Sequence, residues 1–144
     1  MGTTTFTGPI RAGNILNTSG NVPGNNIANV GQTVMAQSYP VLETSAVINA
    51  PIAIPAGSQI LSIAWYATVP FTNPVSIGNQ TTVDFFSVAA VVGVGEIPVI
   101  PNDVANWINT GTPDSVVSIN GGAAPGSGSG VLTITYLQGP NGNA

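Results

Sequence analysis

Glycine and proline recur along the whole of this chain and leave only short uninterrupted runs between them. The 144 residues include 18 glycines and 12 prolines, and the runs between them are rich in valine, isoleucine, threonine and aromatic residues. Proline disrupts helices and central strands, and both residue types favour turns, so this spacing excludes long helices. Many short strands separated by turns are typical of a β-sandwich or a β-barrel.

The clearest predicted strand covers residues 59–69, whose odd positions from Leu61 to Val69 are apolar. Such an alternation places one face of a strand in a core, and Pro70 then ends the strand because it lacks a backbone donor. Segment 131–138 alternates in the same way. Segment 82–92 is apolar on both faces, which predicts either a central strand covered on both sides or a strand that meets a neighbouring subunit. Further strands are predicted at residues 3–7, 32–39, 44–50 and 114–119.

The pattern predicts an all-β fold, an antiparallel β-sandwich of about eight strands that is either jelly-roll or Ig-like. We expect a short extended N-terminal arm over residues 1–12, one sandwich domain over residues 13–138 and a flexible tail over residues 139–144. The expected core residues are Leu61, Ile63, Trp65, Val83, Phe85, Leu132, Ile134 and Tyr136.

Two Gly-rich segments and one helical turn complete the predicted layout. Residues 17–29 and 121–130 are expected to be exposed loops, the second of them a flexible tip. A short helical turn is predicted over residues 102–108, with Asn102 as its N-cap and Gly111 just beyond its end.

Charged side chains are scarce. The chain carries one Lys or Arg, which is Arg11, against five acidic residues, so its net charge is −4 and only 4% of its residues are charged. An ordinary soluble domain is about 25% charged. A surface so poor in charge repels other proteins weakly, and we expect much of it to be buried in an assembly. The alternative is a monomer with a neutral, hydroxyl-rich surface.

The same scarcity argues against several classes of function. A single Arg cannot supply the phosphate contacts that nucleic acids or anionic membranes require. The chain has no His, Cys or Lys, so the common nucleophile–base pairs of enzymes are absent. No apolar run approaches the ~20 residues of a membrane span, and no basic leader precedes an apolar segment, so we expect a protein that first folds in the cytoplasm.

Four acids are candidate oxygen ligands for a metal ion. Asp84, Glu96, Asp103 and Asp114 would form a calcium site if they converged in the fold. No calcium-binding loop motif is present, and Asp103 and Asp114 lie at Pro-containing turns, where Asp commonly caps the backbone. The sequence therefore favours a non-enzymatic protein without metal or cofactor.

Six residues are candidates for contacts with other molecules. Trp107 is a better candidate than Trp65, which lies on the apolar face of a strand. The guanidinium of Arg11 can bind a carboxylate with two hydrogen bonds, so it either pins the N-terminal arm to an acid or is solvated in a loop. The candidate interaction residues are Thr5, Phe6, Pro9, Ile10, Arg11 and Trp107.

Several short segments together carry a resemblance. They are residues 6–13 (FTGPIRAG), 54–60 (IPAGSQI), 75–78 (VSIG) and 131–138 (VLTITYLQ), together with the turn Thr112-Pro113-Asp114 and the Gly-rich stretch that follow one another before the last strand. In these segments the chain resembles small virion structural proteins of marine tailed bacteriophages, although Pro113 departs from their pattern. The resemblance implies a protein that decorates or cements the capsid shell, often as a homotrimer. Its partner would be the major capsid protein, and its location the capsid surface after assembly in the host cytoplasm.

Other functions remain open at this point. One is a tail-fibre or adhesin-like module that recognises glycans through Trp107 and tyrosines. Another is a carboxylate-dependent hydrolase that uses Asp84 or Glu96. The threonines of segments 3–7 and 133–135 make too short an array for an ice-binding surface.

Overall fold

The computed structural model describes residues 16–18, 28–30, 33–121 and 126–138, and the chain divides into two units, residues 1–32 and 33–144. In the first unit, strands β1 (Leu16–Thr18) and β2 (Ala28–Val30) pair antiparallel, with Asn17 opposite Asn29. This pairing corrects the prediction of a loop over residues 17–29, because both ends of that segment are strands. The expected arm and tail lie outside the described residues, and their boundaries stay a prediction.

The described residues of the second unit form eight strands in two four-stranded sheets. Sheet 1 has the strand order β3-β10-β5-β8 and sheet 2 has the order β4-β9-β6-β7, and every neighbouring pair is antiparallel. This confirms the predicted β-sandwich. The strands are β3 (Thr33–Leu42), β4 (Val47–Ile54), β5 (Gln59–Val69), β6 (Val75–Asn79), β7 (Ser87–Ala90), β8 (Gly95–Pro98), β9 (Ser115–Asn120) and β10 (Ser129–Gln138).

The order of the strands identifies the sandwich as a jelly roll. Strands pair from the outside of the chain inwards, β3 with β10, β4 with β9, β5 with β8 and β6 with β7. Such nesting describes one long antiparallel ribbon that closes at the β6–β7 connection. Winding of the ribbon then brings β10 beside β5 and β9 beside β6. An Ig-like sandwich has a different strand order, so the structure decides between the two predicted alternatives.

The core lies between the sheets and is built from alternate residues of each strand. The inward residues of β10, among them Ile134 and Tyr136, are buried, and Ile63 and Trp65 meet them from β5. Five of the eight predicted core residues are therefore confirmed, the fifth being Leu132.

The hydroxyl of Tyr136 is satisfied because Gln37 Nε2 donates to it over 2.7 Å. The same nitrogen lies 2.9 Å from Ala53 O, which links β3 to sheet 2.

Leu61 is not a core residue, and a β-bulge explains why. Across the β10–β5 ladder the pairing steps from Thr135 opposite Ser62 to Tyr136 opposite Ile60, so Leu61 is the extra residue. A bulge reverses the alternation beyond it. Ile60 is accordingly 4% exposed and Leu61 is 43% exposed.

The predicted strand over residues 82–92 is wrong in its first half. Residues 83–86 form a turn, and only β7 is extended. Val83 is 61% exposed in that turn, while Phe85 is half-buried against the core. Because β7 is the edge strand of sheet 2, it is not a central strand covered on both sides. That it meets a neighbouring subunit stays a prediction.

The predicted helical turn is present as α1 (Val104–Ile108), but its cap is one residue later than expected. Asp103 is the N-cap, and its Oδ1 accepts a hydrogen bond from Ala105 N over 2.9 Å. Asn102 instead donates through Nδ2 to Asp84 O. A carboxylate at a cap satisfies a helix N–H that has no partner within the helix. No helix in the described part of the chain is long and apolar enough to cross a membrane.

The bulge yields a stability prediction for two adjacent residues. Ile60→Ala removes a buried side chain and should lower the free energy of unfolding by about 2–5 kcal/mol. Leu61→Ala removes a partly exposed side chain and should cost less than about 1 kcal/mol. Urea denaturation of both variants measures the difference. A larger loss for Leu61→Ala would mean that the strand keeps a plain alternation.

Candidate interaction surfaces

A buried carboxylate joins three loops at one end of the sandwich. Glu43 follows β3 and is 3% exposed. Its Oε2 accepts hydrogen bonds from Thr72 N (2.8 Å) and Gly128 N (2.9 Å), and its Oε1 accepts from Asn73 N (2.9 Å) and Asn73 Nδ2 (3.2 Å). The backbone of Glu43 adds two bonds, to Gly128 O and from Gly126 N, both 2.9 Å. Glu43 therefore ties the β3–β4, β5–β6 and β9–β10 connections together.

The protonation state of Glu43 follows from this geometry. Burial raises the pKa of the carboxyl group, but the hydrogen bonds from Thr72, Gly128 and Asn73 outweigh burial and hold the pKa below its ordinary value. The group is thus a buried anion whose lone pairs are occupied. It is inaccessible to a substrate and has a structural role.

The Gly-rich segment before β10 is packed where it is described. A side chain at Gly126 would collide with the Glu43 carboxylate, and one at Gly128 would collide with Phe71. Ser129 and Gly130 already belong to β10, and Gly130 is buried against Ala67. The prediction of an exposed tip over residues 121–130 is therefore wrong for Gly121, Gly128 and Gly130, which are buried, while Ser127 is exposed as predicted. Residues 122–125 lie outside the described part of the chain.

The four remaining acids do not converge on a metal site. Among the described residues, no group of three or more acidic side chains could hold an ion, which contradicts the weighed calcium site. Asp103 caps α1, and Asp114 Oδ1 accepts a hydrogen bond from Ala56 N over 2.9 Å. Both carboxylates therefore act on the backbone, as the sequence favours.

Trp107 is the one predicted interaction residue within the described part of the chain. Its Nε1 donates to Phe86 O over 2.8 Å, and its half-buried ring packs on the core. Asn106 Nδ2 donates to Phe85 O beside it. These contacts fix α1 over the β6–β7 connection, so the indole N–H already has a partner. The other candidates, Thr5, Phe6, Pro9, Ile10 and Arg11, lie outside the described residues, and all six stay predictions as contact residues.

The outer face of sheet 2 is partly covered by the chain itself. Ser76 Oγ and Asn120 Nδ2 both donate to Val83 O, over 2.8 and 2.9 Å. A side chain at Gly78 would collide with Thr82 O. The β6–β7 connection thus lies directly over β6 and β9. Strand β4, at one edge of the sheet, presents exposed residues on this side, Ala53 among them.

The outer face of sheet 1, here named the open face, has no such cover from the described residues of the second unit. All four strands contribute side chains that point away from the core, as their alternating burial indicates. The open face consists of Val34, Ala36, Ser38, Pro40 and Leu42 from β3; Ser129, Val131, Thr133, Thr135 and Leu137 from β10; Gln59, Ser62, Ala64, Tyr66 and Val69 from β5; and Glu96 and Pro98 from β8.

The open face is neutral except at one edge. Its centre holds small side chains, such as Ala64 and Thr133, and its largest exposed ring is Tyr66. Its single charged residue is Glu96 on the edge strand β8, and Tyr66 Oη lies 3.4 Å from the Glu96 carboxylate. A broad, flat and uncharged sheet face is a candidate for contact with another protein surface.

A second candidate is an apolar groove between the edge strands β7 and β8. It encloses about 180 Å³, and no charged side chain lines it. Val91 and Ile100 on its rim are 72% and 75% exposed. Pro98 in β8 and the four-residue lengths of both strands keep these edges from pairing with other strands. The groove therefore fits a side chain or loop of a partner better than an added strand.

Part of these surfaces could be predicted from the sequence. The outward positions of β10, Thr133 and Thr135, follow from its alternation, but the sequence does not tell whether another element covers them. Gly126, Gly128 and Gly130 occupy every second position before Leu132, whose side chain faces the core. This two-residue spacing is the sequence signal that the three glycines lie on the same side of the strand as Leu132.

The chain matches no known family model and no curated protein. Among solved structures it is similar to a chain of the cyanophage Pam1 capsid asymmetric unit, with a TM-score of 0.58 and 18% identity over 90% of this chain and 100% of that chain. It is also similar to a chain of the acid-stable capsid of Helicobacter pylori bacteriophage KHP30, with a TM-score of 0.47 and 19% identity over 72% and 86% of the two chains. The likeness to the cyanophage chain is a likeness of fold.

Glu43 gives a prediction for stability as a function of pH. A folded-state pKa below the ordinary value of 4.5 means that the carboxylate stabilises the fold above that pH. This contribution is lost as the pH falls through the folded-state pKa. Glu43→Gln places an NH₂ group among N–H donors, and at pH 7 it should cost about 2–4 kcal/mol of unfolding free energy.

The difference between wild type and Glu43→Gln should shrink as the pH falls below 4.5, because the wild type then also loses its anion. Chemical denaturation at a series of pH values measures it. Glu96→Gln, at an exposed acid, is the control and should change stability by less than about 0.5 kcal/mol. A pH-independent difference for Glu43→Gln would contradict an ionised Glu43.

Proposed function

We propose that this chain is a non-enzymatic virion structural protein that decorates or cements a phage capsid. The observation that carries the proposal is the jelly-roll agreement with a chain of the cyanophage capsid asymmetric unit, which covers 90% of this chain and all of the other. Since the match covers the other chain completely and 90% of this one, the two chains are of similar length. Small jelly rolls recur among capsid proteins, although the fold alone does not assign a function.

The described surfaces are suited to binding other proteins. The groove between β7 and β8 offers apolar area that no charged side chain lines, and buried apolar area stabilises an interface by roughly 25 cal/mol per Å² before the costs of association. A protein bound across joints between subunits of the major capsid protein adds such area at every copy. Many copies on one shell would then resist internal pressure.

The N-terminal arm is the proposed anchor to the shell or to a neighbouring protomer. It carries Phe6, Pro9 and Ile10 as apolar contacts and Arg11 as the chain's single cation. A guanidinium on an arm can form a bidentate bond with a carboxylate of the partner. We further propose a homotrimer on the capsid surface, assembled in the host cytoplasm, as the resemblance to marine phage proteins implies.

Location on particles tests the proposed function. Antibodies against the recombinant chain, detected with gold in electron microscopy, should label capsids of virions purified from cultures that encode it. Labelling should be dense and spread over the head. Virions that contain no copy of the chain by mass spectrometry would reject the proposal. Label restricted to the tail would favour the adhesin-like alternative instead.

Deletion of residues 2–11 tests the arm. The shortened chain should keep the fold of the second unit, because that unit begins at residue 33. Its occupancy on capsids, measured by quantitative mass spectrometry, should fall at least about tenfold, which corresponds to ~1.4 kcal/mol. Arg11→Ala in the full chain separates the charge from the rest of the arm. Full occupancy of the shortened chain would rule out the arm as the anchor.

A further inference from the structure

We infer that the open face packs against the open face of a second copy of this chain. This goes beyond the proposed function, because a contact between two identical faces pairs copies two by two and is separate from the contacts that would close a trimer. The self-association itself is a property of the free protein and is tested without capsids.

Charge restricts where two copies can meet. Every charged residue in the described part of the chain is acidic, so two copies cannot form ion pairs through these residues. Asp84, Asp103 and Asp114 lie in the connections at the end of the sandwich opposite Glu43. Contact through that end would bring carboxylates together. The open face carries only Glu96, at its edge, so contact through the centre of this face avoids the repulsion.

The same property argues against a foreign partner on this face. An ordinary soluble domain is about 25% charged, and most of those charges lie on its surface. The hydroxyl and methyl groups around Ala64 and Thr133 cannot pair those charges, and an unpaired charge is costly to bury. A second copy presents the same neutral groups. Two such faces can pack about 10 Å apart, as sheets do within a sandwich.

The size of the face sets the strength of the contact. Four strands spaced about 4.8 Å apart and about nine residues long cover on the order of 500 Å² per copy. Stable dimers bury about 800 Å² per partner, so this contact belongs to the weak class. The exposed ring of Tyr66 supplies the aromatic group that interfaces favour. We therefore expect monomers at low concentration and assembly at high local concentration.

A pair of matched substitutions tests the inference. Ala64→Glu places a charge in the middle of the open face, and Ala53→Glu places the same charge on the exposed outer side of β4. Sedimentation at about 200 µM, where a contact of micromolar Kd is largely formed, measures the mass. The wild type and Ala53→Glu should exceed the monomer mass of 14.4 kDa. Ala64→Glu should remain monomeric, with circular dichroism showing a folded sandwich.

A second pair of variants covers the case in which Ala64→Glu fails to fold. The chain has no cysteine, so Ala64→Cys and Ala53→Cys each carry a single thiol for a short bis-maleimide linker. Covalent dimers should form for Ala64→Cys and stay at least about tenfold rarer for Ala53→Cys, a difference of ~1.4 kcal/mol in contact free energy. Equal yields, or a wild type that is monomeric at about 200 µM, would overturn the inference.

These outcomes are separate from those of the proposed function. A wild-type chain that is monomeric in solution but present on virions would remove the inferred contact and leave the virion role intact. A chain that self-associates but is absent from virions would do the reverse.

Discussion

The buried carboxylate of Glu43 organises one end of the jelly roll. In this fold the connections that cross between the sheets collect at the ends, where the ladders stop and backbone donors lose their partners. Glu43 gathers the N–H groups of Thr72, Asn73 and Gly128 from two other connections, and Phe71 N reaches Val92 O in a third. The close packing of Gly126 and Gly128 leaves no room for larger residues beside it. Because an unsatisfied buried anion would be costly, the three loops and the carboxylate need one another.

The opposite end of the sandwich is held by a different set of hydrogen bonds. As a result, the outer faces of the two sheets differ. There the β8–β9 connection, which contains α1, bonds to both neighbouring connections, with Thr110 N on Ser58 O and Trp107 Nε1 on Phe86 O. The β6–β7 connection that this anchors folds over sheet 2 and receives the hydrogen bonds of Ser76 and Asn120. Sheet 1 receives no such cover from the described residues of the second unit. Within the described residues of the second unit, the closure of this end therefore covers the outer face of sheet 2 and leaves that of sheet 1 uncovered.

The sequence predicts the fold where strands are central and fails where local geometry interrupts the alternation. Strand β5 was predicted with its bounds, and the inward side of β10 was predicted residue by residue, because both lie between two partners. Leu61 was misassigned because a bulge reverses parity without any signal in residue type. Segment 82–92 was misassigned because its apolar residues lie in a turn and in the edge strand β7 rather than in a strand covered on both faces. The glycines before β10 resemble a linker, and only their shared parity with Leu132 indicates packing around Glu43. The open face needed the structure, because covering by another connection is a long-range property.

The described part of the chain carries no cation, so contacts through its surfaces depend on shape and apolar area, and this determines how those contacts respond to the solvent. Ion pairs between exposed side chains weaken as salt screens them, whereas burial of apolar groups does not depend on that screening. Copies of this chain also repel one another weakly, and salt reduces even that repulsion. Contacts through the open face should therefore hold at high ionic strength. The same reasoning makes acid the condition to which the fold itself is most sensitive, since its one buried anion is lost there, while the faces that carry the contacts hold a single titratable carboxylate at Glu96.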